Sequence, residues 1–205
     1  MSVIGAGGHA KVIVGLLHAL GARIEACFDD DATKRGQQIL GVPIRSLTEL
    51  PTEALAVLAI GNNRTRQRLA RELPCVWASL VHPTAFVDPS SLIGPGSVVF
   101  AGAVIQPDVV VGAHAIVNTA ASIDHDGNVG DFVHVAPGCH LAGTVTIDEG
   151  AFLGVGVSVV PGRRVGAWAT VGAGACVIRD IAPGITVVGV PARPIVASNR
   201  GEVTR

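Results

Sequence analysis

One segment of the chain combines residue types that could move a proton. In Asn118-Thr119-Ala120-Ala121-Ser122-Ile123-Asp124-His125-Asp126 a single imidazole is flanked by carboxylates. A neighbouring acid holds a histidine in one tautomer and makes it more basic, which is what a general base requires. His134 and His140 follow it along the chain. None of the histidines has a paired acid or cysteine at ligand spacing, so no metal site is expected. His82, His114 and His140 read as surface residues.

A second segment, Gly5-Ala6-Gly7-Gly8-His9-Ala10-Lys11, would let backbone N–H groups approach a phosphate where a helix starts. It also fits the G-x-G-x-x-A dinucleotide signature, and a tight turn explains it equally well. Asp29, Asp30 and Asp31 close an apolar run, where they could bind a ribose, hold a substrate amine, or serve as ordinary surface acids. Gly61-Asn62-Asn63 closes the next such run, with an asparagine as candidate helix cap. Arg64, Arg68 and Arg71 beyond it read as a solvated stripe rather than a phosphate clamp.

Two halves of different rhythm must position these residues. Val3-Ile4, 24–28, 55–60 and 76–80 read as strands and 9–20 and 62–73 as helices, an alternation that predicts a small parallel α/β sheet over residues 1–81. From His82 to Val177 the chain runs in sixteen consecutive hexads, each ending in Val, Ile or Leu. Fixed-period self-similarity marks a solenoid. The sixth residue of each hexad points to the axis, the mostly small fourth residue fits inside, and early Gly and Pro make the corners. The fifth residue faces outward. It is apolar through Phe86, Leu92, Val98, Val104, Val110 and Ile116, then polar from Ser122 through Asn128, His134, His140 and Thr146. The apolar stretch needs a cover, and a symmetric partner is the simplest one.

Composition excludes several classes. Of 205 residues only 15% are charged, with a formal net charge of −1, so a nucleic-acid or polyanion binder is not expected. Gly, Pro, Asp or His interrupts every apolar run before the roughly 18 residues a bilayer span needs. The chain opens on Ser2-Val3-Ile4-Gly5 with no signal-peptide pattern. Cys27, Cys75, Cys139 and Cys176 form no disulfide framework and read as reduced thiols of a cytoplasmic protein.

Taken in order, G-x-G-G-H, F-D-D, A-I-G-N-N-R, L-V-H-P, N-T, D-H-D, the hexads and Val188-Gly189-Val190-Pro191-Ala192-Arg193-Pro194 resemble the bacterial nucleotide-sugar N-acetyltransferases of the bacillosamine and perosamine type. The resemblance spans nearly the whole chain. It implies a Rossmann-like nucleotide-sugar-binding domain over 1–81 and a left-handed parallel β-helix with three hexads per coil over 82–205. Sixteen hexads then make about five coils and a prism on the order of 25 Å tall. It also implies acetyl-CoA as cosubstrate, a homotrimer with sites between subunits, and transfer of acetyl to the 4-amino group of a nucleotide-linked dideoxy sugar for surface glycan synthesis.

Carried over residue by residue, Gly7, Gly8, His9, Asp29, Asp30 and Gly61 would touch the nucleotide sugar. His125 would be the base, tuned by Asp126, with Asn118 and His134 lining the reacting end and His134 helping a backbone N–H steady the oxyanion. His134, Gly143, Val155, Ala173 and Arg193 would meet acetyl-CoA. Trp168, Ala173 and Arg163 depart from the family's usual residues. His125 and His134 stand half an 18-residue coil apart, so they would meet one ligand only through neighbouring subunits. The rival readings are a sialic acid-type sugar O-acetyltransferase, a NAD-dependent enzyme using the N-terminal glycines, and a non-enzymatic solenoid scaffold.

Overall fold

The structure is a computed structural model that describes residues 1–195; the remainder of the 82–205 segment, residues 196–205, lies outside the described residues. The N-terminal half is built from β1 (Ser2–Ile4), α1 (Gly8–Ala19), β2 (Ala26–Asp29), β3 (Gln38–Ile39), β4 (Val42–Ser46), β5 (Leu55–Leu58), α2 (Asn63–Glu72) and β6 (Val76–Trp77). The sheet order is β3-β4-β2-β1-β5-β6, parallel except for the β3–β4 hairpin. Parallel strands linked through helices leave β1, β2 and β5 ending on one edge, where the Gly5, Asp29 and Gly61 loops gather. Gly5 has φ +105°, and a Cβ there would lie 2.6 Å from Ile60 Cδ1, so this turn admits only glycine.

The second half is a triangular parallel β-helix of two-residue strands. Its first face stacks Leu80–Val81, Val98–Val99, Ile116–Val117, His134–Val135, Phe152–Leu153, Thr170–Val171 and Thr186–Val188. The second stacks Phe86–Val87 through Cys176–Val177 and the third Leu92–Ile93 through Arg164–Val165. Successive strands of a face pair in parallel 18 residues apart, as Ile116 with His134 and Ser122 with His140. The sixth residue of each hexad from Ile105 to Val177 is at most 2% exposed, and with the small fourth residues it fills the prism.

Three expectations need correction. Residues 76–80 are not one strand: Val76–Trp77 pairs with β5, whereas Leu80–Val81 pairs with Val98–Val99, so the coil begins one hexad before His82. The outward apolar positions do not form one stripe, because successive hexads lie on different faces. Val98 and Ile116, each 1% exposed, are covered by this chain's own α1 through Ile13, Val14, Leu16 and Leu17. Each such buried aliphatic side chain stabilises by roughly 1.5–3 kcal/mol, so the two halves form one packed body. Phe86, Leu92 and Val110 remain open, at 52%, 65% and 42% exposed. Finally, Arg163 is the fourth residue of its hexad, a position that reads as inward, yet its guanidinium reaches out toward Asp180, 3.9 Å away.

Candidate active site

His125 sits on the corner between the second and third faces. Its Nδ1 lies 2.7 Å from Asp126 Oδ2, and its backbone N–H donates to Asp124 Oδ1 at 2.8 Å. A carboxylate there can only accept, so Nδ1 carries the proton and Nε2 presents a free lone pair. The hydrogen bond to Asp126 raises the His125 pKa above the ordinary histidine value, with the Asp124 charge adding to it. Gly143 lies one coil above. A Cβ on it would come within 2.6 Å of His125 Nε2, so its missing side chain makes the space the ring occupies. Beside this corner, a groove of about 480 Å³ runs along the second face past Ser122, Asp124, His140 and Ser158. His140 is exposed, as expected, and its Nδ1 is 2.8 Å from Ser122 Oγ.

His134 stands elsewhere, on the first face beneath the N-terminal half. Its Nδ1 faces the Gly61 carbonyl at 3.3 Å and its Nε2 faces Asn118 Nδ2 at 3.1 Å. The Gly61 oxygen only accepts. Asn118 Oδ1 is already taken by the Thr119 N–H at 2.8 Å, so the amide NH2 must point at the ring. Nε2 is therefore an acceptor with no proton to give, which corrects the expectation that His134 steadies an oxyanion. Burial, with the nearby Arg66 charge second, lowers its pKa to about 4. His9, 6.2 Å away between ring centroids, is lowered to about 4 for the same reasons, and its Nε2 has no hydrogen-bond partner. His9, Asn118, His134 and Gly61 thus come together within one chain.

Around them lie the nucleotide-binding candidates. Gly7 and Gly8 open α1, and a Cβ on either would meet nothing within 4 Å, so their backbone is freely approachable. Asp29 is 8% exposed. Its Oδ2 accepts from the Ala6 N–H at 2.7 Å and Lys34 Nζ at 3.0 Å, and its Oδ1 from the Asp31 N–H at 2.9 Å. Burial alone would raise its pKa, but these bonds hold it below the usual carboxylate value. Both oxygens serve the loop, so of Asp29 and Asp30 it is the exposed Asp30 that is open to a substrate amine. A pocket of about 80 Å³ between Gly5, Phe28, Asp30, Ile60 and Arg68 lies at these strand ends. A larger cleft, about 380 Å³, separates Gly61 and Asn62 from Phe152 and Trp168.

The expected coenzyme contacts do not converge in one chain. Val155 and Ala173, both exposed, stack on the corner between the first and second faces, one coil apart, on the same edge as Asn118. Gly143 shares the other edge with His125. Arg193 is exposed at the C-terminal end of the coil, in the antiparallel pairing of Val188 with Arg193. His114 is a correction of another kind. It is 6% exposed, stacked on Phe132 at 5.2 Å with Trp77 edge-on at 5.1 Å, and burial lowers its pKa to about 4. Arg66 was not singled out in the sequence, and Asn63 was read only as one of two candidate helix caps; the cap is Asn62, whose Oδ1 accepts from the Thr65 N–H at 2.9 Å. Arg66 lies three residues before the buried Leu69, on the inner face of α2, and that spacing is the signal that marks it. Arg64 lies over the Trp168 ring at 3.9 Å, and the pair closes one side of the larger cleft. Among the described residues, no three His, Cys, Asp or Glu side chains cluster as metal ligands, no helix is long and apolar enough to cross a membrane, and all four cysteines are free.

Residues 1–73 match the PglD N-terminal domain family. The acetyltransferase domain of PglB from Neisseria gonorrhoeae superimposes with a TM-score of 0.88 at 40% identity, covering 95% of this chain and 98% of that one. The chain belongs to this family of acetyltransferases. With the family goes the left-handed sense of its β-helix. PerB from Caulobacter crescentus, solved in complex with CoA and GDP-perosamine, matches with a TM-score of 0.87 at 39% identity over 95% of this chain and 96% of its own. A UDP-N-acetylbacillosamine N-acetyltransferase of Bacillus subtilis is 41% identical over 96 residues, which are 42% of this chain and 44% of that protein. A putative acetyltransferase of Schizosaccharomyces pombe is 38% identical over 65 residues, 31% of its length. The chain thus aligns with less than half of each of these two curated relatives.

Proposed function

We propose that the chain is an acetyl-CoA-dependent N-acetyltransferase acting on the 4-amino group of a nucleotide-linked amino-dideoxy sugar, in the synthesis of a bacterial surface glycan. The observation that carries this reading is the His125–Asp126 pair: an imidazole tethered through Nδ1, with a free Nε2 set over Gly143 beside an open groove. The neutral sugar amine attacks the thioester carbonyl. His125 Nε2 takes the proton released from nitrogen, and the tetrahedral intermediate collapses with loss of the CoA thiolate, which can recover that proton from the imidazolium. No covalent enzyme intermediate is needed, because a neutral amine is already a competent nucleophile. A backbone N–H without help from His134 is left to steady the oxyanion. The relatives solved with CoA, acetyl-CoA or GDP-perosamine support the two ligand classes.

The working unit in this reading is a homotrimer. Asn118, His134, Val155 and Ala173 flank one edge of the prism and His125, Asp126 and Gly143 another, so one ligand meets both sets only when the edge of one copy lies against the other edge of a neighbour. Residues 1–81 supply nucleotide recognition and 82–205 the coenzyme groove. The free cysteines suit the reducing cytoplasm. The test is an acetylation assay with UDP-, GDP- and dTDP-linked 4-amino sugars and their 4-hydroxy analogues, read by product mass. Acetyl gain on one amino sugar and on none of the hydroxyl analogues is expected. Transfer to the hydroxyl analogues alone overturns N-acetylation in favour of O-acetylation, and transfer to none of them overturns the substrate class.

A further inference from the structure

Arg66 has an unusual position for a cation. It is 1% exposed, and its hydrogen-bond acceptors are all neutral. Nε donates to the His114 carbonyl at 2.8 Å, and Nη2 donates to the Phe132 and Val133 carbonyls at 2.7 and 3.3 Å and to Asn63 Oδ1 at 2.9 Å. Nη1 donates to the Ile60 and Gly61 carbonyls at 3.0 and 3.4 Å. His114 and Phe132 are one coil apart on the corner between the third and first faces. Asn63 extends the same grip to the next coil, donating through Nδ2 to the Gly150 and Ala151 carbonyls, each at 3.1 Å.

A residue that only glued the two halves together would need the coil carbonyls and α2. Arg66 also holds the loop that ends β5, and the Gly61 carbonyl it touches is the one that accepts from His134 Nδ1. One rigid, planar fork therefore fixes the height of the Gly61 loop above the first face. The loop in turn selects the His134 tautomer, which leaves Nε2 free to anchor Asn118. We propose that Arg66 is a positioning residue of the reaction: its guanidinium sets the Gly61 carbonyl against His134 and thereby holds the wall of the sugar site formed by Gly61, His134 and Asn118. This rests on the reading of that wall as the place of the sugar. A lysine has the charge but not the fork, and cannot serve the coil corner and the loop at once.

The experiment uses the full chain. In the substrate-free wild type, 15N-resolved NMR of the histidine rings should show His134 neutral with its proton on Nδ1. In Arg66→Lys the ring should lose that single tautomer. With the sugar the wild type acetylates, the nucleotide-sugar KM should rise by about tenfold or more, the cost of misplacing a hydrogen-bonded wall, with the acetyl-CoA KM within about twofold of wild type. Loss of thermal stability with the tautomer and both KM values unchanged would reduce Arg66 to interdomain glue and overturn the proposal. Should Arg66→Lys not fold, the wild-type spectrum still decides, because a proton on His134 Nε2 contradicts the chain of contacts at its middle link. The NMR arm needs no substrate. A wild type that acetylates no nucleotide sugar defeats the functional reading, while the spectra still judge the link from Arg66 to His134.

Discussion

The imidazole of His125 carries the sharpest residue-level expectation. His125→Ala should lower kcat by about 10²- to 10⁴-fold, the usual worth of a positioned acid–base group, with the acetyl-CoA KM unchanged in steady-state assays. Because the Asp126 hydrogen bond raises the His125 pKa, the ring stays protonated to a higher pH than an ordinary histidine, and the acid limb of kcat/KM shifts upward with it. Asp126→Asn should move that limb to lower pH. A limb that stays in place across this variant belongs to the sugar amine instead. His114 behaves differently. Packed between Phe132 and Trp77, its replacement by alanine should cost on the order of 2–4 kcal/mol of stability and lower Tm, leaving turnover of the folded enzyme near wild type. The half-exposed His82, whose ring bonds to Thr84 two residues on, should tolerate the same change in a parallel melt.

Between coils, the spacing of 18 residues does the positioning. Gly143→Ala would put a methyl group 2.6 Å from His125 Nε2, and the ring must move because Gly143 sits on backbone that is paired on both sides. We expect kcat to fall by about tenfold or more while circular dichroism and Tm stay close to wild type. The element scale is also where the sequence was most readable. A branched aliphatic at every sixth position has one economical explanation, and the prism, its corners and its axis-facing residues all follow from it. The missed features lack such a signal. The β3–β4 hairpin is short, carries Pro43, and alternates buried with exposed residues in only five positions of β4. The covering of Val98 and Ile116 by α1 could not be read locally, because period six says which residues point outward and not what meets them. Of the site, the His125–Asp126 pair was legible as neighbours in sequence, and the glycine turn as a loop. The tautomer of His134 was not, since it depends on Gly61 and Arg66, more than sixty residues away.

At the scale of the whole molecule, three histidines, the buried His114 and His134 and the half-buried His9, stand without charge at the junction of the two halves. His9, His114 and His134 are each lowered from 6.5 to about 4, chiefly by burial. An unfolded chain binds protons at these rings below about 6.5 whereas the folded one does so only near 4, so stability is complete above the higher value and falls as pH drops through this window. A Tm series from pH 7 to pH 4 should show that decline, and a flat series would mean the rings are charged or exposed in solution. Assembly makes a separate demand. Leu92→Glu places a charge at an outward position that is 65% exposed in the single chain. Sedimentation should then show monomer, and activity should be lost in step with trimer; full activity from a monomer would refute a shared site. The coil itself has a property akin to a reading frame. Eighteen residues gained or lost add or remove a storey and leave the stacking register unchanged. Six residues gained after His125 would rotate all that follows by one face and bring Pro137, not Gly143, over the imidazole. Insertions in such a chain are therefore silent in multiples of three hexads and ruinous otherwise.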